Sequence, residues 1–186
     1  MQNPYGGGGL YVRRRVPHYA CCLLLLCLAL LASLLSPAIG RGAEVYFSPG
    51  GGIRHRLLTA IQASQQTIDV AVYNFTANEM AGALYAAKVR GAHIRILVDR
   101  ELAKEGVVIR AMRRNGLEVR SLGVPQQSLM HNKFAIFDDR LVATGSYNWT
   151  NSAEHANYEN LVILDEPEVI ARFLQEFRRL WREAKE

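Results

Sequence analysis

Residues 129–150 read LMHNKFAIFDDRLVATGSYNWT. Inside this largely apolar run His131 and Lys133 stand two positions apart, followed by Asp138 and by a Gly145-Ser146-x-Asn148 tail. Alternate side chains of an extended strand share a face, so the imidazole and the ammonium lie side by side while Asn132 and Phe134 point the other way. Such a pair suits chemistry on an anion. The lysine supplies a fixed positive charge, and the imidazole can attack or move a proton near neutral pH. Phosphate is the natural substrate group. At the end of the next strand Gly145 has no Cβ, so backbone can come close to a ligand, and Ser146 and Asn148 add neutral hydrogen-bond donors that complete an oxyanion cradle.

The full spacing, His131-x-Lys133-x4-Asp138-x6-Gly145-Ser146-x-Asn148, agrees at every fixed position with the HKD signature of the phospholipase D superfamily. With the segments VYFSP, IDVAVYNFT and NYENLVIL, the chain resembles the small, single-motif bacterial endonuclease branch of that superfamily over residues 44–182. The resemblance implies the phospholipase D/nuclease fold and a phosphodiesterase that uses no metal and no cofactor. His131 would attack phosphorus and form a phosphohistidine that water then releases. Lys133 and Asn148 would bind the non-bridging oxygens, with Ser146 and the Gly145 backbone assisting. Asp138 sits at a hairpin, where bonding turn amides and direct chemistry both remain open. Glu159 matches the family's "EN" glutamate, which pairs with the motif histidine and would fix its tautomer.

In-line displacement also needs an acid on the leaving-group side. Larger family members supply a second motif histidine from the same chain, but His55, His93 and His155 lack a lysine two residues later. The economical solution is a two-fold homodimer with both His131 side chains at one shared site. His155 acting as the acid is the alternative.

The elements that must hold these residues alternate. EVYFS reads as a strand and is followed by a helix carrying Ile53, Leu57 and Ile61 at i, i+4, i+8. TIDVAVYNF is a strand, and Thr76 with Glu79 forms a capping box opening the helix that stops at Gly91. HIRILVD and LEVRSL are strands around a helix near residues 107–115, and residues 123–128 are a loop. This alternation predicts an α/β class: an α/β/α sandwich with a central mixed, mostly parallel sheet flanked by helices. HNKFAIF and LVATG, separated by Asp138-Asp139-Arg140, form an antiparallel hairpin; NYENLVIL is a further strand, and Pro167 opens a last amphipathic helix.

The 186 residues suit one domain over residues 41–186 after a leader at residues 1–40. The leader carries Arg13-Arg14-Arg15 and then an uncharged leucine-rich stretch. It reads as a signal cleaved before Arg41, giving a secreted or periplasmic protein, or as a membrane anchor through residues 20–36; a mitochondrial outer-face anchor is a further version of the second reading. All three cysteines lie there, which excludes a disulfide framework or a cysteine-based zinc site from the domain. The leader also holds three arginines and no acid, leaving 19 basic against 17 acidic side chains in residues 41–186. The overall charge of +5 therefore overstates the domain's pull on nucleic acid.

Three functions remain. One is a nuclease acting on DNA and also RNA, reading phosphate rather than base edges, with Arg54, Arg56, Arg100 and Arg120 lining a groove. The second is a phospholipase D or cardiolipin hydrolase at a membrane, with Val124, Leu129, Met130 and Trp149 dipping into phospholipid. The third is an inactive nucleic-acid-binding adaptor.

Overall fold

The computed structural model describes residues 42–124 and 127–185. The leader, expected as signal or anchor, lies outside the described residues. In chain order the elements are β1 (Glu44–Ser48), α1 (Ile53–Ala63), β2 (Thr67–Val72), α2 (Asn78–Val89), β3 (His93–Asp99), α3 (Arg100–Glu105) and α4 (Val107–Arg114). There follow β4 (Glu118–Val124), β5 (Ser128–Leu129), β6 (Lys133–Phe137), β7 (Leu141–Gly145), α5 (Asn151–His155), β8 (Glu159–Leu164) and α6 (Pro167–Glu183).

The strands make one mixed sheet in the order β1-β8-β7-β6-β2-β3-β4-β5. Helices cover both faces, as the alternation predicts. Ile68, Val70 and Val72 of β2 enter one core with Leu57 and Ile61 of α1, Leu84 of α2 and Met112 of α4. Ala71, Leu97, Phe134 and Val142 enter the other, beneath Ile170, Phe177 and Leu180 of α6. Because β2 and β3 are covered on both sides they read as unbroken apolar runs. The exception is Asp69, whose carboxylate is held by the Arg95 guanidinium at 2.8 and 2.6 Å. Arg95 itself lies under Phe177 and Trp181.

The expectation of a mostly parallel sheet needs correction. Of the pairings between these strands, only β2 with β3 and β3 with β4 are parallel; a single parallel bridge also joins Phe75 and Trp149. β6 inserts antiparallel beside β2, and β7, β8 and β1 continue the sheet outward, each antiparallel to its neighbour. The three-residue turn at 138–140 can join β6 and β7 only as antiparallel neighbours, and the pairings of β8 with β7 and β1 add to it.

Two local expectations also change. α2 starts at Asn78 with no side-chain cap, so Thr76 and Glu79 form no capping box. The N–H groups of Thr76 and Ala77 are instead used on the Trp149 carbonyl. The expected loop after β4 contributes β5, which pairs back onto Gly123 and Val124. α3 and α5 were not anticipated, although each has a readable cap: Asp99 accepts from Glu101 and Leu102, and Thr150 from Ala153. Among the described residues no helix is long and apolar enough to cross a membrane.

Candidate active site

β6 pairs with β2 so that Lys133 lies opposite Val72, at the C-terminal end of β2. Just beyond, the Tyr73 N–H donates to the Asn132 carbonyl at 2.9 Å, which holds the His131 segment against the chain leaving β2. The same exit segment holds the other half of the motif. The Asn74 N–H donates to Asn148 Oδ1 at 3.2 Å, and the Trp149 N–H donates to the Asn74 carbonyl at 3.1 Å. With Oδ1 so occupied, the Asn148 amide nitrogen is the end available to donate to a ligand. His131, Lys133 and Asn148 are thus collected around residues 73–74.

Tyr73 has no counterpart in the motif, and sequence reasoning missed it. Its ring sits 4.7 Å from the His131 ring at an interplanar angle of 57°, and Lys133 Nζ lies 5.0 Å from the same ring centroid. One aromatic face therefore positions both cationic or nucleophilic groups. Lys133 Nζ also donates to the His131 carbonyl at 2.8 Å. Burial pushes the Lys133 ammonium below its ordinary value, with Glu159 pulling the other way. An ammonium partly stripped of water is a strong attractor for a phosphate oxygen.

Gly145 is required for a different reason from the one expected. A Cβ there would lie 2.2 Å from the Asn160 carbonyl oxygen, so its bareness lets β7 approach β8 rather than a ligand. That approach sets Ser146: its N–H donates to the Asn160 carbonyl at 3.1 Å, and its hydroxyl accepts from the Asn160 N–H and donates to Glu159 Oε2 at 2.5 Å. The other Glu159 oxygen accepts from Asn157 at 3.1 Å. Glu159 is therefore at the site but does not hold the His131 ring, as was expected; its oxygens go to Ser146 and Asn157. The imidazole rests on Tyr73 instead.

Between the two motif residues, Tyr147 is buried and its hydroxyl donates to Glu154 at 2.8 Å. Burial and that carboxylate push its phenol well above the ordinary value. Glu154 also accepts from the Arg54 N–H, tying the Ser146–Asn148 corner to α1.

Asp138 stands at the far end of β6, roughly 16 Å along the strand from Lys133. Its carboxylate accepts from the N–H groups of Gln65, Gln66 and Thr67 at 2.8 to 2.9 Å. Partial burial would raise its pKa, but these amides and Arg140 outweigh that and hold it below the ordinary carboxylate value. Asp138 and Asp139 adopt φ of 51° and 53°, the left-handed turn that Asp tolerates better than most residues.

Most of the expected arginine groove is otherwise employed. Arg54 is spent on Thr150, Asn151 and Glu79, Arg56 on Glu44, and Arg120 on Trp181. Of the four, Arg100 lines a cavity beside the His131 segment, and Arg120 lines a separate one with Arg113 and Glu118. Of the apolar residues offered to a membrane, Met130 and Trp149 are buried, while Val124 and Leu129 are exposed. His93 pairs with Glu118 at 2.8 Å at the opposite end of the sheet. His155 is exposed on the last turn of α5 and shows no contact with His131.

The family model described as cardiolipin synthase, PLD-like domain, matches residues 57–181. The human mitochondrial cardiolipin hydrolase is 35% identical over 152 residues, covering 76% of this chain and 60% of its own length. The Drosophila melanogaster protein of the same name is 32% identical, covering 68% and 58%. The chain thus spans about 60% of the length of these curated relatives. Among solved structures, Nuc from Salmonella typhimurium, described as a phospholipase D family member, aligns with a TM-score of 0.70 at 31% identity, covering 77% of this chain and 96% of that one. NucT from Helicobacter pylori has the same fold, with a TM-score of 0.71 at 24% identity and coverage of 76% and 96%.

Proposed function

The chain belongs to the phospholipase D superfamily, and from that premise we propose that it is a metal-independent phosphodiesterase that hydrolyses nucleic acid, DNA and also RNA, through a phosphohistidine on His131. The observation that carries the chemistry is the gathering of His131 and Lys133 over Tyr73, with Ser146 and Asn148 beside them, at one end of the sheet. The nuclease reading is supported by the motif's resemblance to the small endonuclease branch. It is supported also by a match spanning 96% of Nuc, a family member of similar extent.

In the first step an imidazole nitrogen of His131 forms a bond to phosphorus as the bond to the leaving oxygen breaks. Lys133 and Asn148 donate to the non-bridging oxygens as their charge grows, with the Ser146 hydroxyl, oriented by Glu159, beside them. The leaving alkoxide needs a proton. We assign that role to the partner subunit's His131 in a two-fold homodimer: as an imidazolium it gives its proton to the leaving oxygen, and as the resulting neutral imidazole it takes one from the water that makes the second displacement. That displacement breaks the phosphorus–nitrogen bond and returns a phosphomonoester and a free imidazole. The leader, read as a bacterial signal or anchor, would deliver the domain outside the cytoplasm, whereas a mitochondrial outer-face anchor would leave it facing the cytosol.

The test is cleavage of plasmid DNA by the purified chain in EDTA. Wild type should nick and degrade the plasmid, and His131→Ala should not; an intact plasmid with wild type rejects the nuclease reading. A second reading, hydrolysis of a phospholipid headgroup at a membrane, is favoured by the curated relatives named as cardiolipin hydrolases and by exposed Val124 and Leu129. Release of headgroup from cardiolipin vesicles, with DNA left intact, would select it. An inactive adaptor would do neither while still binding nucleic acid.

A further inference from the structure

A cavity of about 530 Å³ opens on the α6 side of the sheet, and its wall includes Met130 and Asn132, the two residues that flank His131. It is therefore continuous with the catalytic segment. Arg100, Ser128 and Lys185 line it as well. Two fixed supports bring the cations there. Asp99 Oδ2 accepts from the Met130 N–H at 3.0 Å while Oδ1 caps α3, so Arg100, the first residue of α3, is fixed against the chain leading to His131. Lys185 is pinned to β4 by two backbone hydrogen bonds with Ser121, of 2.7 and 3.0 Å.

The carboxylates of the cavity form no ion pair with these cations. Glu176 and Glu183 are both engaged by Arg179, at 2.7 and 2.8 Å. Arg100 and Lys185 have no carboxylate partner among the described residues. The cavity's three cations exceed its two carboxylates by one, and Arg100 and Lys185, neither bonded to a carboxylate, stand beside Ser128 and Asn132 and over the apolar Leu122 and Leu180, which suits an anion attached to a flat or apolar group.

We infer that this groove is a subsite for the phosphate next to the scissile one on a nucleic-acid strand, held by Arg100 and Lys185 while the intervening sugar and base cover the apolar floor. The inference rests on the nuclease reading and adds a substrate preference to it. A strand with a phosphate flanking the cleaved bond should be a better substrate than a diester with none.

The experiment uses the full chain, a short single-stranded oligonucleotide, and bis(p-nitrophenyl) phosphate, a diester without a flanking phosphate. The ratio of kcat/KM on the oligonucleotide to that on the small diester should fall about tenfold in an Arg100→Gln, Lys185→Gln double variant. The log–log dependence of oligonucleotide cleavage on salt should flatten by about 0.7, the slope that one phosphate contact on a single strand contributes. Arg172→Gln, an exposed α6 residue outside the groove, should change neither. A wild type that cleaves the oligonucleotide and a double variant with the same ratio and the same salt slope overturn the groove alone. A wild type that turns over the small diester but no oligonucleotide rejects the nuclease reading and the subsite with it. Phospholipid hydrolysis sensitive to the same two substitutions, with the oligonucleotide left intact, gives the groove to a lipid headgroup and overturns the nucleic-acid assignment.

Discussion

The two ends of the β6–β7 hairpin carry parts of one sequence motif and have opposite characters. At the turn, the Asp138 carboxylate is saturated by three backbone N–H groups from the chain entering β2, and these keep it ionised. At the open end, the His131 ring makes no hydrogen bond among the described residues, and the Lys133 ammonium is partly dehydrated and rests on an aromatic face and a carbonyl. A satisfied group contributes stability, whereas a group held in place with capacity to spare can bind or react. The motif therefore joins a backbone clamp at Asp138 to the proposed reactive site at His131 and Lys133.

Substitutions can break that contrast, and the largest effect is expected at His131. His131→Ala removes the proposed nucleophile, and hydrolysis in a plasmid or small-diester assay should fall about 10⁴-fold or more with little change in melting temperature. Lys133→Gln keeps much of the volume and loses the charge, and kcat should fall roughly 10² to 10³-fold, the scale for removing one stabiliser of transition-state charge. Tyr73→Leu should cost about tenfold in kcat with KM nearly unchanged, while Tyr73→Phe, which keeps the face, should stay near wild type. Equal losses in the two variants would show that the ring is not what positions His131 and Lys133.

Asp138→Asn should have the smallest effect on rate and a clear one on folding, a loss of about 1 to 3 kcal/mol measured by urea denaturation. Its pH dependence has a definite sign. A carboxylate held below its ordinary value in the folded chain contributes stability that is complete above the unfolded value of about 4 and disappears as pH falls through the lower folded value. The stability gap between wild type and Asp138→Asn should therefore close in acid. Lys133 behaves oppositely in the assay: its ammonium is lost at a lower pH than an ordinary lysine's, so the alkaline limb of the rate profile should fall early and should be absent in Lys133→Gln.

Much of the site was legible because it is local. His131 lies just before β6, Lys133 opens it, and Ser146 and Asn148 lie just after β7, so one hairpin carries all four to the same end of the sheet, and β1, β3 and α6 follow from apolar patterning that the covered sheet explains. What stayed hidden depends on partners distant in sequence. Asp138 meets amides 71 to 73 residues earlier. Tyr73 meets His131 only because β6 inserts beside β2, and no motif residue points to it. Glu159 goes to Ser146 because Gly145 lets β7 close onto Asn160. The arginines offered for a groove were read from charge alone, and three of them are consumed by neighbours that no periodicity reveals.

The most direct test places both ends of the hairpin in one experiment: the rate of plasmid cleavage in EDTA by wild type, His131→Ala and Asp138→Asn, well below the melting temperature of each. The account predicts cleavage by wild type, none by His131→Ala and near wild-type cleavage by Asp138→Asn. Cleavage that survives in His131→Ala, or that is lost in a folded Asp138→Asn, would contradict it.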